Sequence, residues 1–202
     1  MSKKIAIDVV LLLPPKVSNL SIKVNNKALK NGCKGVLLNK KDNLPHISLF
    51  MGVINQKDIN LIGEKIKITV KNFSPIVTAI TKLNSAPHAD GLRMYDFSLK
   101  NNKQFQLLHE TVVKGLKKFV CGKAISGMFY KDKGEILTGG WNWVNNFIKN
   151  ASFKNFYPHI TLRTSCASYN KFPVRFTASR LVICHLGDHC TCRKILWETE
   201  LK

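Results

Sequence analysis

The stretch Leu44-Pro45-His46-Ile47-Ser48-Leu49 has a second copy in the chain, Tyr157-Pro158-His159-Ile160-Thr161-Leu162. Both copies contain proline, histidine, isoleucine, a hydroxyl residue and leucine in that order, and more than half of the 202-residue chain separates the two histidines. One such histidine is compatible with an ordinary strand position. Two copies of the same pattern predict an internal repeat, with one copy in each of two lobes and a function that both copies share.

Each copy is predicted to lie on a β-strand, where successive side chains point to opposite faces. The alternation places a histidine and a hydroxyl residue side by side on one face, with apolar side chains on the face behind them. The side chains predicted on the polar face are His46, Ser48 and Phe50 in the first copy and His159, Thr161 and Arg163 in the second. The histidines outside the repeat are given structural roles, and they are His88, His109, His185 and His189.

The charge balance of the chain points to phosphate as a partner. Lysine and arginine number 32 against 12 acidic residues, which gives a formal net charge of +20. Such an excess attracts phosphates, and we expect those of nucleic acid. The acidic residues are scattered, so no carboxylate cluster suits a two-metal catalytic site. Hydrophobic residues make up 45% of the chain, enough to bury a core, and this excludes global disorder.

The N-terminal segment has some features of a signal sequence but is better explained as a buried strand. Lysines precede the apolar run Ile5–Leu13, yet Asp8 interrupts the run and Pro14 ends it. No apolar stretch approaches the roughly 20 residues that span a bilayer. We therefore expect a cytoplasmic protein that is monomeric and does not bind membranes.

Six cysteines are expected to be reduced, because a chain of this size needs no disulfide framework and lacks a secretory signal. The segment Cys184–Cys192 is dense in cysteine and histidine, and structural zinc is one interpretation of it. The other interpretation is a β-hairpin, whose turn explains Gly187 directly and whose alternation sends neighbouring ligands to opposite faces. The hairpin is favoured, and no metal is expected at the functional site.

Apolar periodicity and turn residues predict mixed strands and helices of the α+β class. Strands are predicted over Lys3–Leu13, Leu44–Ile54, Ile76–Leu83, Arg93–Leu99 and Tyr157–Thr164, and a closing hairpin pairs Phe176–His185 with Thr191–Glu200. Helices are predicted over Lys16–Leu29, Gln56–Ile68, Lys103–Val120 and Trp141–Lys149. A turn containing Pro87 and Gly91 joins two strands, and the glycine-rich segment Gly122–Gly140 is predicted to be a mobile connection.

Paired His-x-Ser/Thr motifs, one in each half of a chain of this length, resemble the 2H phosphoesterase superfamily, which includes the RNA 2′,3′-cyclic phosphodiesterases historically called 2′-5′ RNA ligases. The resemblance covers essentially the whole chain. It implies one bilobal α+β domain over residues 1–202, with pseudo-twofold symmetry and a cleft where the motif strands meet. Ser48 in place of threonine keeps the hydroxyl, and Arg163 lies where some relatives extend the second motif.

Residue chemistry supports the same interpretation. A phosphodiester needs one proton removed from the attacking oxygen and one delivered to the leaving oxygen, and His46 and His159 can do both without a metal or cofactor. Ser48 and Thr161 can donate to phosphate oxygens, and Arg163 can offset charge. The aromatic rings predicted to stack on a base are Phe50, Phe156 and Tyr157.

The predicted function is that of a metal-independent phosphodiesterase acting on RNA or oligonucleotides, at 2′,3′-cyclic phosphate ends or 2′-5′ linkages. A phosphodiesterase for a small nucleotide such as ADP-ribose cyclic phosphate is one alternative. A non-catalytic RNA-binding module is another, although binding alone does not call for two titrating groups. An ATP-dependent ligase is not expected, because no nucleotide-activating lysine motif is found.

Overall fold

The computed structural model describes residues 2–87 and 93–202, which form strands and helices in a mixed order. The strands are β1 Lys4–Leu12, β2 His46–Asn55, β3 Ile76–Pro87, β4 Arg93–Leu99, β5 His159–Thr161, β6 Val174–Ala178, β7 Arg180–Leu186 and β8 Cys192–Glu200. The helices are α1 Pro15–Lys30, α2 Ile59–Thr69, α3 Lys103–Leu116 and α4 Trp141–Ala151. None of these helices is both long and apolar enough to cross a membrane.

The strands form two four-stranded antiparallel sheets, which confirms the α+β class. The first sheet has the order β2-β1-β7-β8 and the second the order β5-β4-β3-β6. Each copy of the repeat lies on an edge strand, β2 in one sheet and β5 in the other. The first sheet joins strands from both ends of the chain, so the two lobes are interleaved in sequence.

Strand β1 is buried on both faces, as its apolar run predicts. Ile5, Ile7 and Val9 belong to the main core, which also includes apolar side chains of α2 and α3. Val10 belongs to a separate cluster on the other face of the sheet. Asp8 is completely buried in the middle of this strand. A carboxyl group at the centre of an apolar strand requires a reason beyond packing.

Helix α3 has the amphipathic face that its periodicity predicts. The side chain of Asn102 caps its first turn by accepting a hydrogen bond from the Phe105 backbone N–H at 2.9 Å. Its buried face includes Phe105, Leu108, Val112 and Leu116. The helix ends at Leu116 rather than at Val120, because a short 3-10 turn follows it.

The predicted closing hairpin is wrong in one respect, since Phe176–His185 is not a single strand. The chain leaves the second sheet after β6, passes Ser179 and enters the first sheet as β7. Strand β6 pairs with β3, whereas β7 pairs with both β1 and β8. The apolar alternation is similar before and after Ser179, so the change of sheet depends on the available strand partners.

The glycine-rich segment from 122 to 140 is attached to the β7–β8 hairpin, contrary to the mobile connection expected. Tyr130 N–H donates to the Leu186 carbonyl at 2.7 Å. The Asp188 carboxylate accepts from the backbone N–H groups of Thr138 and Gly139 at 2.7 and 2.9 Å. These contacts hold the segment against the first sheet. Gly91 of the turn predicted between β3 and β4, and His88, lie outside the described residues.

The expectation of six reduced cysteines is also wrong. The structure pairs Cys33 with Cys166 and Cys184 with Cys192, with Cα separations of 5.8 and 5.6 Å. The first pair joins residues that are 133 positions apart, so only the folded chain brings them together. Among the described residues no group of three or more histidine, cysteine or acidic side chains has a geometry that could hold a metal ion.

His109 is a buried link between the segments that carry the two motifs. Its Nδ1 donates to the Leu49 carbonyl at 2.9 Å, and its Nε2 accepts from the Phe153 backbone N–H at 2.9 Å. The ring also stacks on Phe156 at a centroid distance of 3.9 Å. Burial lowers the pKa of His109 to about 4, so the ring is neutral at pH 7. The structural role expected for this histidine agrees with these contacts.

The folded protein should lose stability in acid as a consequence. Because the pKa of His109 falls from 6.5 unfolded to about 4 folded, protonation favours the unfolded chain. Its contribution is present above pH 6.5 and is lost as the pH falls towards 4, by about 3 kcal/mol in total. Urea unfolding of wild type and of His109→Asn at several pH values checks this. Between pH 4 and 6.5 the variant should take up about one proton less on unfolding than wild type, and equal pH slopes of stability would contradict the assignment.

Candidate active site

The two motif strands approach each other, with Cα atoms of β2 and β5 within 8 Å. Electrostatic coupling supports the same convergence, because the positive charges of Arg163 and His159 both contribute to lowering the pKa of His46. Side chains from the two copies of the repeat therefore share one cleft between the sheets.

Both histidines are held by the same hydrogen bond. His46 Nδ1 lies 2.7 Å from the Leu44 carbonyl, and His159 Nδ1 lies 2.8 Å from the Tyr157 carbonyl, two residues back in each case. A carbonyl oxygen only accepts, so Nδ1 carries the proton. In the neutral ring the lone pair is then on Nε2. The two motifs thus fix the same tautomer and ring orientation for both imidazoles, with Nε2 as the nitrogen available for proton transfer.

His46 is the more enclosed of the two, with 12% of its side chain exposed. Burial lowers its pKa to about 4, against the raising effect of its hydrogen bond to Leu44. His46 is therefore neutral at pH 7, with a free lone pair on Nε2. A neutral imidazole in this position can accept a proton.

Ser48 is paired with a residue that sequence analysis did not select. Its Oγ donates to Asp8 Oδ2 at 2.6 Å. The other carboxyl oxygen, Oδ1, is buried and has no hydrogen-bond partner among residues 2–87 and 93–202. Burial raises the pKa of Asp8 well above its usual value, against the lowering effects of Ser48, Arg163 and the Phe50 backbone N–H. The one sequence signal for Asp8 is its presence inside the apolar run Ile5–Leu13.

These three side chains do not form a serine–histidine–aspartate triad. In such a triad the aspartate accepts from the histidine nitrogen that faces away from the serine, and the serine donates to the other nitrogen. Here the Leu44 carbonyl occupies Nδ1 of His46, and Asp8 Oδ2 lies 3.7 Å from Nε2, beyond hydrogen-bond distance. Ser48 donates to Asp8 rather than to His46. The geometry favours acid–base chemistry by the histidine over a serine nucleophile.

Arg163 reaches the cleft by a route that strand alternation did not predict. Strand β5 ends at Thr161, and Arg163 has a left-handed backbone with φ of 50°. Gly35 makes room for it, because a Cβ there would collide with the Arg163 carbonyl oxygen. Asn25 supports the same segment by donating to the Leu162 carbonyl at 2.8 Å. Tertiary contacts, rather than the strand, therefore orient this arginine.

The guanidinium of Arg163 has no hydrogen bond or ion pair within the described part of the chain, although it is half-buried. Burial lowers its pKa, and the opposing effects come from Cys190, Asp188 and Asp8. An unpaired, partly buried cation can hold an anion. The Thr161 hydroxyl is likewise without a hydrogen-bond partner in the residues described.

Tyr157 lies against the second histidine. Its ring stacks on His159 with a centroid distance of 5.3 Å and an interplanar angle of 18°. Its hydroxyl donates to Asp96 Oδ1 at 3.1 Å and also contacts Ser98. The Tyr157 side chain remains partly exposed and packs against the His159 ring.

Phe50 is not brought to the site, which corrects its predicted role in base stacking. A β-bulge shifts the register between β1 and β2, since Val9 pairs with Phe50 while Val10 pairs with Ser48. The bulge turns Phe50 into the main core, where it is fully buried. Phe156 is buried as well, and it stacks on His109. Neither ring is accessible to a nucleotide base.

A surface hollow of about 430 Å³ lies at the start of α3 and is lined by residues 101–103, 106, 107 and 110. It contains neither motif. Its lining lacks a histidine, and the one acidic group in it, Glu110, contacts Lys114 at 3.1 Å. The chemistry therefore favours the cleft between the motifs over this hollow.

Comparison with models of protein families and with curated protein sequences gave no match. Comparison with solved structures gave matches over nearly the whole chain. TT0787 of Thermus thermophilus is 14% identical with a TM-score of 0.64, and the alignment covers 98% of each chain. LigT of E. coli complexed with 3′-AMP is 10% identical with a TM-score of 0.61, covering 98% of this chain and 99% of LigT.

A further solved structure, described as a phosphoesterase, is 10% identical with a TM-score of 0.50 over 100% of this chain and 99% of its own. These identities are low, so the likeness concerns the fold. The chain has the α+β fold of TT0787 and LigT, with two four-stranded antiparallel sheets and four helices in the described residues.

Proposed function

We propose that the protein is a metal-independent phosphodiesterase acting on RNA or oligonucleotides, at 2′,3′-cyclic phosphate ends or 2′-5′ linkages. One observation carries the proposal. Two histidines on facing strands are each held through Nδ1 by a carbonyl two residues back, with an unpaired arginine in the same cleft. Two imidazoles prepared in this way can perform two proton transfers at one phosphorus.

The burial of His46 supports its assignment as the base. For a cyclic phosphate, His46 Nε2 takes a proton from the attacking water as its oxygen bonds to phosphorus. His159 delivers a proton from Nε2 to the ribose oxygen as the bond between that oxygen and phosphorus breaks. Each transfer typically contributes about 10²–10⁴ in rate. The reaction consumes one water, and the histidines return to their starting forms when a proton passes from His46 to His159 through solvent.

The remaining polar groups suit the phosphate. The unpaired Arg163 can neutralise charge that develops on the non-bridging oxygens, and the Thr161 hydroxyl can donate to one of them. Ser48 can also donate to a phosphate oxygen when its hydroxyl no longer donates to Asp8. All of these donors are side chains of the protein, so the proposed chemistry uses no metal or cofactor.

The charge of the chain supports RNA over a small nucleotide as substrate. A formal charge of +20 attracts a polyanion more strongly than a single phosphate. LigT itself has been crystallised with 3′-AMP, phosphate, ATP and NADP⁺. These complexes keep a small nucleotide substrate as the second candidate.

Product analysis tests the function and the absence of a metal requirement together. Substrates are RNA with a 2′,3′-cyclic phosphate end, 2′-5′ and 3′-5′ oligonucleotides, and ADP-ribose cyclic phosphate, each with and without EDTA. We expect hydrolysis of a cyclic-phosphate end or a 2′-5′ linkage at the same rate in EDTA, because acid, base and phosphate donors are side chains. Complete loss on chelation, restored by zinc or magnesium, would contradict the mechanism.

A further inference from the structure

The two motifs differ in what lies beside their hydroxyl groups. An aspartate stands on the neighbouring strand of each sheet, Asp8 on β1 next to Ser48 and Asp96 on β4 opposite Thr161. Asp96 is occupied, because it accepts a hydrogen bond from the Tyr157 hydroxyl. Asp8 is fully buried, with Ser48 on Oδ2 and no partner for Oδ1 in the part of the chain described. The first motif therefore contains a carboxyl group that the histidine mechanism does not use.

The hydroxyl of Ser48 has one hydrogen and two lone pairs. When Asp8 is ionised, it accepts a hydrogen bond from the Ser48 hydroxyl. Ser48 Oγ then presents only lone pairs to the cleft, and these repel a phosphate oxygen. When Asp8 is protonated, Oδ2 can donate to Ser48 Oγ instead. The separation of 2.6 Å suits a hydrogen bond in either direction. The Ser48 hydrogen is then free to turn towards a ligand.

The surroundings of Asp8 allow it to keep a proton at a higher pH than an exposed aspartate does. Burial raises its pKa well above the usual value, and Ser48, Arg163 and the Phe50 backbone N–H only partly oppose this. From β2, His46 Nε2 lies 3.7 Å away, and the pKa of His46 is about 4. The turn before β8 contributes Cys190, whose thiol pKa burial raises to about 12. Cys184, opposite Asp8 on β7, is in a disulfide and does not titrate.

We propose that Asp8 is a positioning residue whose protonation switches Ser48 from donating to Asp8 to donating to a phosphate oxygen. The inference rests on the proposed function, because it concerns the phosphate site of the same cleft. A phosphate-like anion that binds at Ser48 brings one proton from solvent onto Asp8.

Sulfate is a suitable probe, because it is tetrahedral, doubly charged and does not titrate near neutral pH. Its affinity is measured by isothermal titration calorimetry between about pH 5 and 9 for the wild type, Asp8→Asn, Asp96→Asn, Ser48→Ala and the double variant Asp8→Asn/Ser48→Ala. Buffers of different ionisation enthalpy give the number of protons taken up. The amide introduced by Asp8→Asn cannot titrate, yet it can still donate to Ser48 Oγ as protonated Asp8 does. Asp96→Asn is the matched control, since it changes the corresponding carboxyl of the other motif.

Sulfate affinity should fall with rising pH more steeply for the wild type than for Asp8→Asn. Above the Asp8 pKa the extra decrease should reach up to about tenfold per pH unit, because one proton is linked to binding. The two proteins differ only at residue 8, so the difference in pH dependence isolates Asp8. Asp96→Asn should keep the wild-type pH dependence. In a Ser48→Ala background, Asp8→Asn should have no further effect on that dependence.

Three outcomes would overturn the inference: no sulfate binding by wild type, the same pH dependence in Asp8→Asn as in wild type, or an Asp8→Asn effect that persists without Ser48. The last result would mean that Asp8 acts on the anion by charge alone. These outcomes are separate from those that test the proposed function, because sulfate binding does not depend on turnover. Failure of the function appears as absent hydrolysis by the wild type, whatever the sulfate measurements give.

Discussion

Replacing His46 or His159 with alanine should lower the single-turnover rate of phosphodiester hydrolysis by about 10²–10⁴ for each histidine. Each variant removes one of the two Nε2 atoms that the structure holds in the cleft, so one proton transfer lacks its positioned group. The double variant should lose much less than the product of the two single losses, because residues that act as one unit are non-additive. The measurement is single-turnover cleavage of the substrate identified by product analysis.

His185→Gln is the matched control, because His185 is a histidine outside the cleft whose Nε2 donates to the Met128 carbonyl at 3.0 Å. It should keep wild-type turnover. The acidic limb of kcat/KM should also fall with a midpoint near 4, since the base must be deprotonated and the pKa of His46 is about 4. Near-wild-type turnover in either single alanine variant, with folding verified by circular dichroism, would contradict the two-histidine mechanism.

Replacing Arg163 with alanine should lower turnover by about 10²–10³, the typical effect of removing one preorganised donor to transition-state charge. The guanidinium has no protein partner in the described residues, so its loss leaves no buried partner unpaired and the effect falls on the ligand. Arg163→Lys should recover only part of the rate, because an ammonium lacks the planar, two-pronged geometry of a guanidinium. Single-turnover rates and KM values for the two variants separate the effect of the positive charge from that of the guanidinium geometry.

Arg175→Ala provides the control for loss of one positive charge. Arg175 is exposed on β6, at the edge of the second sheet opposite β5. Its removal should weaken RNA binding slightly and in a salt-dependent way, without changing turnover of bound substrate. An Arg163→Ala variant that behaves like Arg175→Ala would show that Arg163 belongs to the general basic surface and not to the reaction.

Local sequence determined the two motif strands and most of the helices. The repeat of Pro-His-Ile, hydroxyl and Leu is a property of neighbours in the chain, and so is the apolar face of α3. These features need no knowledge of distant contacts, which is why residues His46, His159 and Thr161 were selected without a structure. The net charge, and the phosphate chemistry it suggests, is a property of composition alone.

Tertiary structure decided which of the other predicted groups reach the site. A bulge against β1 moved Phe50 from the polar face into the core, although its spacing from Ser48 is that of a regular strand. Arg163 reached the cleft through a left-handed backbone that Gly35 permits, and not through alternation. Both cases depend on a neighbour remote in sequence.

Asp8 shows the same limit most clearly. In the sequence it was an interruption of an apolar run, with no motif around it. Only the pairing of β1 with β2 places its carboxyl group beside Ser48 and under His46. The change of sheet at Ser179 and the pairing of Cys33 with Cys166 have the same origin. Periodicity along the chain determines which face of a strand or helix a side chain lies on. Strand pairing and burial determine which groups that face contacts, and these depend on residues far apart in sequence.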